Sequence, residues 1–171
     1  SLIYLYATDR EKQYSFIDAA KAKGYDVLIM DGQLDTHFIN HLEQKFKDSR
    51  FTRVDSDVVD KLIEKGDSKE IKLTTAQQNR LTPVFRSQLP EATNYIVMYE
   101  ALSESENPIL ITQAEFMRRM KDMAEMGGGP MSFYGNMPDS YNLVVNANHP
   151  LILKINEELE KKLDADLKKI E

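Results

Sequence analysis

The fold is decided by residues 2–30, which read LIYLYATDREKQYSFIDAAKAKGYDVLIM. The apolar, aromatic-rich run over residues 2–6 predicts a buried strand, and the amphipathic stretch that follows predicts a helix over residues 13–23. Gly24 stands where a helix commonly ends, and residues 26–30 predict a second strand. This strand–helix–strand order is typical of a parallel sheet covered by helices.

A second helix and a third strand extend this pattern. The helix is predicted over residues 34–46, with Phe38, Leu42 and Phe46 recurring every four residues on one apolar face. The strand is predicted over residues 51–54. We therefore expect the beginning of the chain to be an α/β unit, a small α/β/α sandwich with parallel strands.

The polar segment 66–70 marks a change of pattern, so we expect a boundary between residues 1–68 and residues 69–171. The second part should be a mixed α+β domain. We expect its two adjacent strands to form an antiparallel hairpin across the polar loop SESEN. Its elements are predicted as a helix over 74–89, strands over 95–102 and 108–111, a helix over 113–126, a strand over 141–145 and a last helix opened by Pro150.

Composition excludes several classes of function. The chain has 171 residues, a formal net charge of −6 and no cysteine. The acidic balance argues against nucleic acid as a partner, because phosphate neutralisation needs a basic face. The absence of cysteine excludes disulfides, cysteine-ligated zinc and thiol nucleophiles. No apolar run approaches the roughly 18 residues of a membrane span, so we expect no membrane partner. Both ends fall inside patterned runs, and we expect this chain to be a fragment of a longer protein.

The helix predicted over residues 113–126 carries four methionines at three-residue spacing. At about 100° per residue, Phe116, Met120 and Met123 lie within roughly 60° of arc, and Met117 and Met126 widen that arc on either side. Charged side chains fill the opposite arc, namely Glu115, Arg118, Lys121, Asp122 and Glu125. Either the apolar arc packs into the core of its own domain, or it is an exposed, adaptable surface for apolar partner segments.

The segment after this helix reads GGGPMSFYGNMP. Its glycines lack the preceding strand and the following Lys-Ser/Thr of a phosphate-binding loop, so we read them as a helix stop. Met131, Phe133 and Tyr134 would extend the apolar surface. We expect no catalytic residue, cofactor site or metal site in residues 1–171.

Other polar groups have local explanations. His37 and His41 could share one helix face, but a third ligand is missing, and we expect no metal there. Asp9, Asp31 and Asp35 follow strand-like runs, where α/β proteins place ligands, and a receiver or a small enzyme using Asp9 and Asp31 is one alternative. Turn and helix-capping roles explain the same residues.

The last helix carries a long apolar seam between residues 152 and 170. Its spacing of three and four residues suits packing against another helix. The partner is either the helix's own domain or a second subunit, so a plain assembly module is another alternative. The members of the seam are Ile152, Ile155, Leu159, Leu163 and Leu167.

Several motifs, in this order along the chain, resemble the ninety-kilodalton heat-shock chaperone family. IYLYATD and FIDAAKAKGYDVLIMDGQLDTHFINHL, over residues 3–42, resemble the end of its middle domain. EFMRRMKDM over residues 115–123 and YNLVVNANHPLI over residues 141–152 resemble its C-terminal domain. LTP over residues 81–83 fits the bacterial form. The resemblance covers nearly the whole chain, and the ordered set is more specific than any single motif.

The resemblance implies an ATP-driven, homodimeric, cytosolic chaperone for partly folded proteins. The family's nucleotide site, its magnesium and its catalytic arginine belong to earlier domains, so this fragment is expected to be no enzyme by itself. The final dimerising helices are expected after residue 171. The family's amphipathic helix contacts clients, and that role falls here on Phe116, Met117, Met120, Met123 and Met126, with Met131, Phe133 and Tyr134 beside them.

Overall fold

The computed structural model describes residues 2–32, 34–63, 69–90, 94–126 and 138–169. The chain forms two compact units, residues 1–66 with 112–138, and residues 67–111 with 139–171. The sequence predicts a single division between residues 68 and 69, whereas the structure groups residues 112–138 with the first unit. The assignment of the two parts to the family's middle and C-terminal domains stays a prediction.

The strands and helices follow the predicted order, and most boundaries lie within a few residues of the predicted ones. No helix in the described ranges combines the length and the apolar character needed to cross a membrane. The elements are β1 (Leu2–Ala7), α1 (Tyr14–Ala22), β2 (Val27–Ile29), α2 (Asp35–Lys45), β3 (Ser49–Arg53), α3 (Val59–Leu62), α4 (Thr75–Arg86), β4 (Asn94–Glu100), β5 (Ile109–Thr112), α5 (Glu115–Met126), β6 (Ser140–Asn146) and α6 (Pro150–Leu167).

The first unit is built on a three-stranded parallel sheet in the order β2-β1-β3. Helices α1 and α3 cover one face, where Ile17 and Leu62 pack with alternate residues of β1. Helix α2 covers the other face, where Ile39 packs against Tyr6 and Phe51. The predicted α/β arrangement with parallel strands is confirmed. Gly24 has a φ of 81°, a backbone conformation that favours glycine, at the C-terminal end of α1.

The prediction that Phe38, Leu42 and Phe46 form the apolar face of α2 is wrong, because the buried face is displaced by about one residue. Ile39 is buried, whereas Phe38 and Phe46 are each 51% exposed. Phe46 lies beyond the last helical residue with a ψ of 77°, so the four-residue spacing no longer places it above Leu42. The side chain that contacts the sheet is therefore Ile39, with Leu42 packed beside it.

The second unit contains a three-stranded sheet in the order β4-β6-β5, with β4 and β6 parallel. The predicted β4–β5 hairpin is wrong, because β6 lies between these two strands. β6 is the most buried of the three strands, because every residue of its second half, from Leu143 to Asn146, is buried, as expected for a central strand. Helices α4 and α6 cover one face of this sheet through Leu81 and Ile152, both fully buried.

Candidate functional site

Helix α5 carries the residues predicted to bind clients. The chain enters it through a backbone hydrogen bond from the amide of Gln113 to the carbonyl oxygen of Asp55, 3.2 Å long. The helix then runs over Glu115–Met126, two residues shorter than predicted. Its described contacts are made with the first unit, although the sequence predicts it within the second domain.

The polar side of α5 is the side that contacts the unit. Arg118 is 6% exposed, and its Nη2 donates to the Tyr6 hydroxyl at 2.5 Å and to Glu115 Oε1 at 2.8 Å. The Tyr6 hydroxyl donates in turn to Glu115 Oε1 at 3.0 Å. Three polar groups from a central strand and the helix thus form hydrogen bonds with one another in a protected place, which offsets part of the cost of their burial.

Arg119 extends these contacts to two further elements. Its Nε donates to Glu115 Oε1 at 2.7 Å, and its Nη1 donates to Glu43 Oε2 of α2 at 2.6 Å. Its Nη2 reaches the backbone carbonyl oxygen of Phe51 in β3 at 2.7 Å. We call the five side chains of Tyr6, Glu43, Glu115, Arg118 and Arg119 the polar network.

The polar network shifts the pKa values of its members. Burial would raise the pKa of Glu115, but the positive charge of Arg118 and the hydrogen bonds from Arg119 and Arg118 outweigh it and lower that pKa. Burial, with the nearby Glu115 carboxylate, raises the pKa of Tyr6 to about 12. The bonds from Arg119 to Glu43 and Glu115 overcome burial and raise the arginine's pKa. At neutral pH Glu115 is therefore a carboxylate, Arg119 is a guanidinium and Tyr6 is a neutral phenol.

The described part of the apolar arc, Phe116, Met117 and Met120, lies on the opposite side of α5 from these contacts. At about 100° per residue, the mid-point of these three residues is roughly 160° from that of the contacting residues. Phe116 is 68% exposed, and Met117 and Met120 are half-buried. Among the described residues, the apolar core clusters include no side chain of α5. The described part of the arc is thus an outer surface of the helix, with Phe116 its most exposed member.

The other predicted client-binding residues are only partly described. Met123 and Met126 lie on α5, but their side chains fall outside the described part. Met131, Phe133, Tyr134 and the three glycines at 127–129 lie outside the described residues altogether. Their predicted roles stay predictions.

The alternative candidate residues with described contacts take part in local turns or are exposed. Asp9 Oδ1 accepts from the amides of Glu11 and Lys12, both at 3.0 Å, and Asp35 Oδ2 accepts from the amide of Gly32 at 2.8 Å. These are the predicted local turn roles. His37 and His41 are exposed. In the described ranges, no three His, Asp or Glu side chains are grouped to hold a metal ion.

Sequence reasoning missed the polar network because two of its members are distant in the chain. Glu115, Arg118 and Arg119 have the spacing of helix ion pairs, which is a visible local signal. Tyr6 and Glu43 read as an ordinary strand tyrosine and an exposed helix carboxylate. Their role follows from the packing of α5, which helical periodicity cannot supply.

Comparison with known proteins relates the whole chain to one family. The model of the Hsp90 protein family matches residues 1–171. The chaperone protein HtpG of Bacteroides fragilis strain 638R is 51% identical over 173 aligned residues, which cover 100% of this chain and 25% of that protein. HtpG of Bacteroides thetaiotaomicron is 52% identical over 94% of the chain, and HtpG of Porphyromonas gingivalis strain ATCC 33277 is 50% identical over 90%. The chain spans about a quarter of the length of these relatives.

Proposed function

The chain belongs to the Hsp90 protein family, and on that premise we propose that it is the client-binding part of an ATP-dependent, homodimeric, cytosolic chaperone. Its relatives are named as chaperones, which supports a role in protein folding. ATP and magnesium would be bound by other parts of the complete protein. In this proposal, residues 1–171 hold no cofactor and supply no catalytic residue.

The client-binding surface that we propose is the apolar arc of α5. The observation that carries it is the orientation of the helix, whose charged side makes the contacts with the first unit while Phe116 stays 68% exposed. Methionine side chains are flexible and polarizable, so such a surface adapts to apolar segments of different shapes. Partly folded proteins offer such segments, because their own cores are incomplete.

The first test removes the most exposed ring of this surface. Covering the exposed two-thirds of the Phe116 ring is worth about 1–2 kcal/mol, so Phe116→Gln should weaken client binding roughly 5- to 30-fold. The client is reduced, carboxymethylated α-lactalbumin, which stays unfolded, and fluorescence anisotropy with the complete protein gives the Kd. Met120→Glu, which places a charge within the same surface, should weaken binding further.

A matched control is available on α1. Tyr14 is 64% exposed, so Tyr14→Gln removes a comparable ring from another surface of the first unit. We expect it to leave the Kd unchanged. Equal Kd values for Phe116→Gln and the unmodified protein would contradict the proposed surface. Loss of the folded circular-dichroism spectrum in Met120→Glu would instead assign Met120 to the core.

The two alternatives from the sequence have less support. A receiver or enzyme using Asp9 and Asp31 would need a free carboxylate at Asp9, whose oxygen accepts two backbone amides of its own turn. An assembly module would need the seam of α6, but Ile152, Ile155 and Leu159 pack in the core of their own unit. Client binding is therefore the function that the described surfaces favour.

A further inference from the structure

Strand β3 lies at an edge of the first sheet, and two side chains cover its outer backbone groups. The amide of Phe51 donates to Glu43 Oε1 at 2.7 Å, and its carbonyl oxygen accepts from Arg119 Nη2 at 2.7 Å. An edge strand normally leaves such groups open to another strand. Here, within the described ranges, no further strand pairs with Phe51 on this side. The glutamate supplies the acceptor and the arginine supplies the donor that a neighbouring strand would have provided.

These two side chains also bind each other through two contacts. Arg119 Nη1 lies 2.6 Å from Glu43 Oε2, and Nη2 lies 3.2 Å from Glu43 Oε1. A two-point contact between a guanidinium and a carboxylate fixes direction as well as distance. Because Glu115, one turn earlier, also accepts from Tyr6 of β1, two points of the helix are bound to the sheet, which opposes rotation of the helix about its own axis.

In the described part of the unit, α5 is not held by apolar core packing in addition to the ion pair. None of the described α5 side chains belongs to an apolar core cluster. The side chains of Arg119 and Glu43 are 21% and 22% exposed, so dissolved salt can reach them. The described contacts that hold the helix thus include an ion pair that salt weakens.

We propose that Glu43 and Arg119 are positioning residues, which fix α5 along the edge of β3 and thereby turn the described part of its apolar arc, with Phe116, outward. This inference rests on the proposed client-binding function and adds what controls it. The affinity for a client then depends on an ion pair that the client does not touch. It follows that added salt weakens client binding, although the contact with the client is apolar.

The test uses the complete protein and two independent measurements. The first is the hydrogen-exchange protection of the α5 amides without client, which reports how firmly the helix is held. Arg119→Gln removes several hydrogen bonds between charged groups, and we expect α5 protection to fall about ten- to a hundredfold. Protection of the β1 amides should stay unchanged, which serves as the check that the unit is folded.

The second measurement is the Kd for carboxymethylated α-lactalbumin at low and high sodium chloride. The unmodified protein should bind more weakly at high salt, whereas Arg119→Gln should bind weakly at both. Glu43→Gln keeps an oxygen for the Phe51 amide. Adding it to Arg119→Gln should therefore cost little more, because both variants remove the same ion pair.

An exposed ion pair of the second unit provides the control. Lys161 Nζ lies 3.1 Å from Glu158 Oε1, and both side chains are more than 60% exposed. Lys161→Gln should change neither α5 protection nor the salt dependence of the Kd. Unchanged α5 protection in Arg119→Gln would overturn the positioning role, and so would a fall in protection without a change in Kd. An unaffected Kd in Phe116→Gln would instead overturn the proposed function, while α5 protection would still report on the ion pair.

Discussion

Asn146 is fully buried at the end of the central strand of the second unit. Its Nδ2 donates to the carbonyl oxygen of Ser103 at 2.7 Å, and its Oδ1 accepts from the amide of Asn148 at 3.2 Å. Asn148 continues the chain of bonds, because its Nδ2 donates to the carbonyl oxygen of Glu70 and its Oδ1 accepts from the amide of Lys72. The sequence NANHP thus joins three segments of the unit by side-chain amides.

At the scale of a single residue, we therefore expect Asn146 to contribute strongly to the stability of the second unit. Asn146→Ala removes the hydrogen-bond partners of the Ser103 carbonyl and of the buried Asn148 amide. We expect the free energy of unfolding to fall by about 2–4 kcal/mol. The urea-unfolding midpoint of the second unit measures it. Asn142→Ala, on the same strand but half-buried, should cost less than about 1 kcal/mol. Similar losses for the two variants would contradict the role assigned to Asn146.

At the scale of an element, the attachment of α5 should depend on pH. The pKa of Glu115 in the folded state is lowered from its ordinary value of 4.5. A lowered folded-state pKa stabilises the attachment fully above pH 4.5, and the stabilisation is lost as the pH falls through the folded-state value. We expect the protection factors of the α5 amides to be constant from neutral pH down to about 4.5 and to fall below it.

Two substitutions separate this effect from general acid unfolding. Glu115→Gln removes the titrating group, so α5 protection should start lower and lose its acid dependence. Glu104, in the second unit, also has a lowered pKa, caused by a hydrogen bond from Lys72 and its charge. Glu104→Gln should leave the acid dependence of α5 unchanged. If α5 protection in Glu115→Gln still falls below about pH 4.5, another group controls the attachment.

The same elements show how far the sequence predicts the fold. The first three strands, the helices between them and the glycine after α1 follow from local signals, namely short apolar runs, helical periodicity and a residue that tolerates positive φ. The place of β6 between β4 and β5 is not a local property, because it depends on which strand buries most apolar surface. Loop spacing alone favours the hairpin that does not form.

Helix α5 shows the same limit for the candidate site. Its apolar and charged arcs follow from the sequence. The sequence allows two interpretations of the apolar arc, packing into the core or exposure, and the exposed Phe116 agrees with the second. The choice between them depends on Tyr6 and Glu43, which lie 109 and 72 positions before Glu115. A charged arc usually faces solvent, and only the packed partners reveal that this one faces the unit.

At the scale of the whole molecule, self-association depends on the seam of α6. Ile152 is fully buried, and Ile155 and Leu159 pack around the same core. Among the seam residues with described side chains, Leu163 is the one left exposed, at 42%. A specific dimer buries about 800 Å² on each partner, far more than one half-exposed leucine supplies.

We therefore expect the chain of residues 1–171 to sediment as a monomer of 19.7 kDa at every concentration measured. Leu163→Glu should leave this result unchanged, because we expect Leu163 to make no contact with a second copy of the chain. A species of twice the mass that dissociates on dilution, and disappears in Leu163→Glu, would show that the seam joins two subunits. If the monomer is found, the seam of α6 does not by itself join two subunits, and it is a structural part of its own unit.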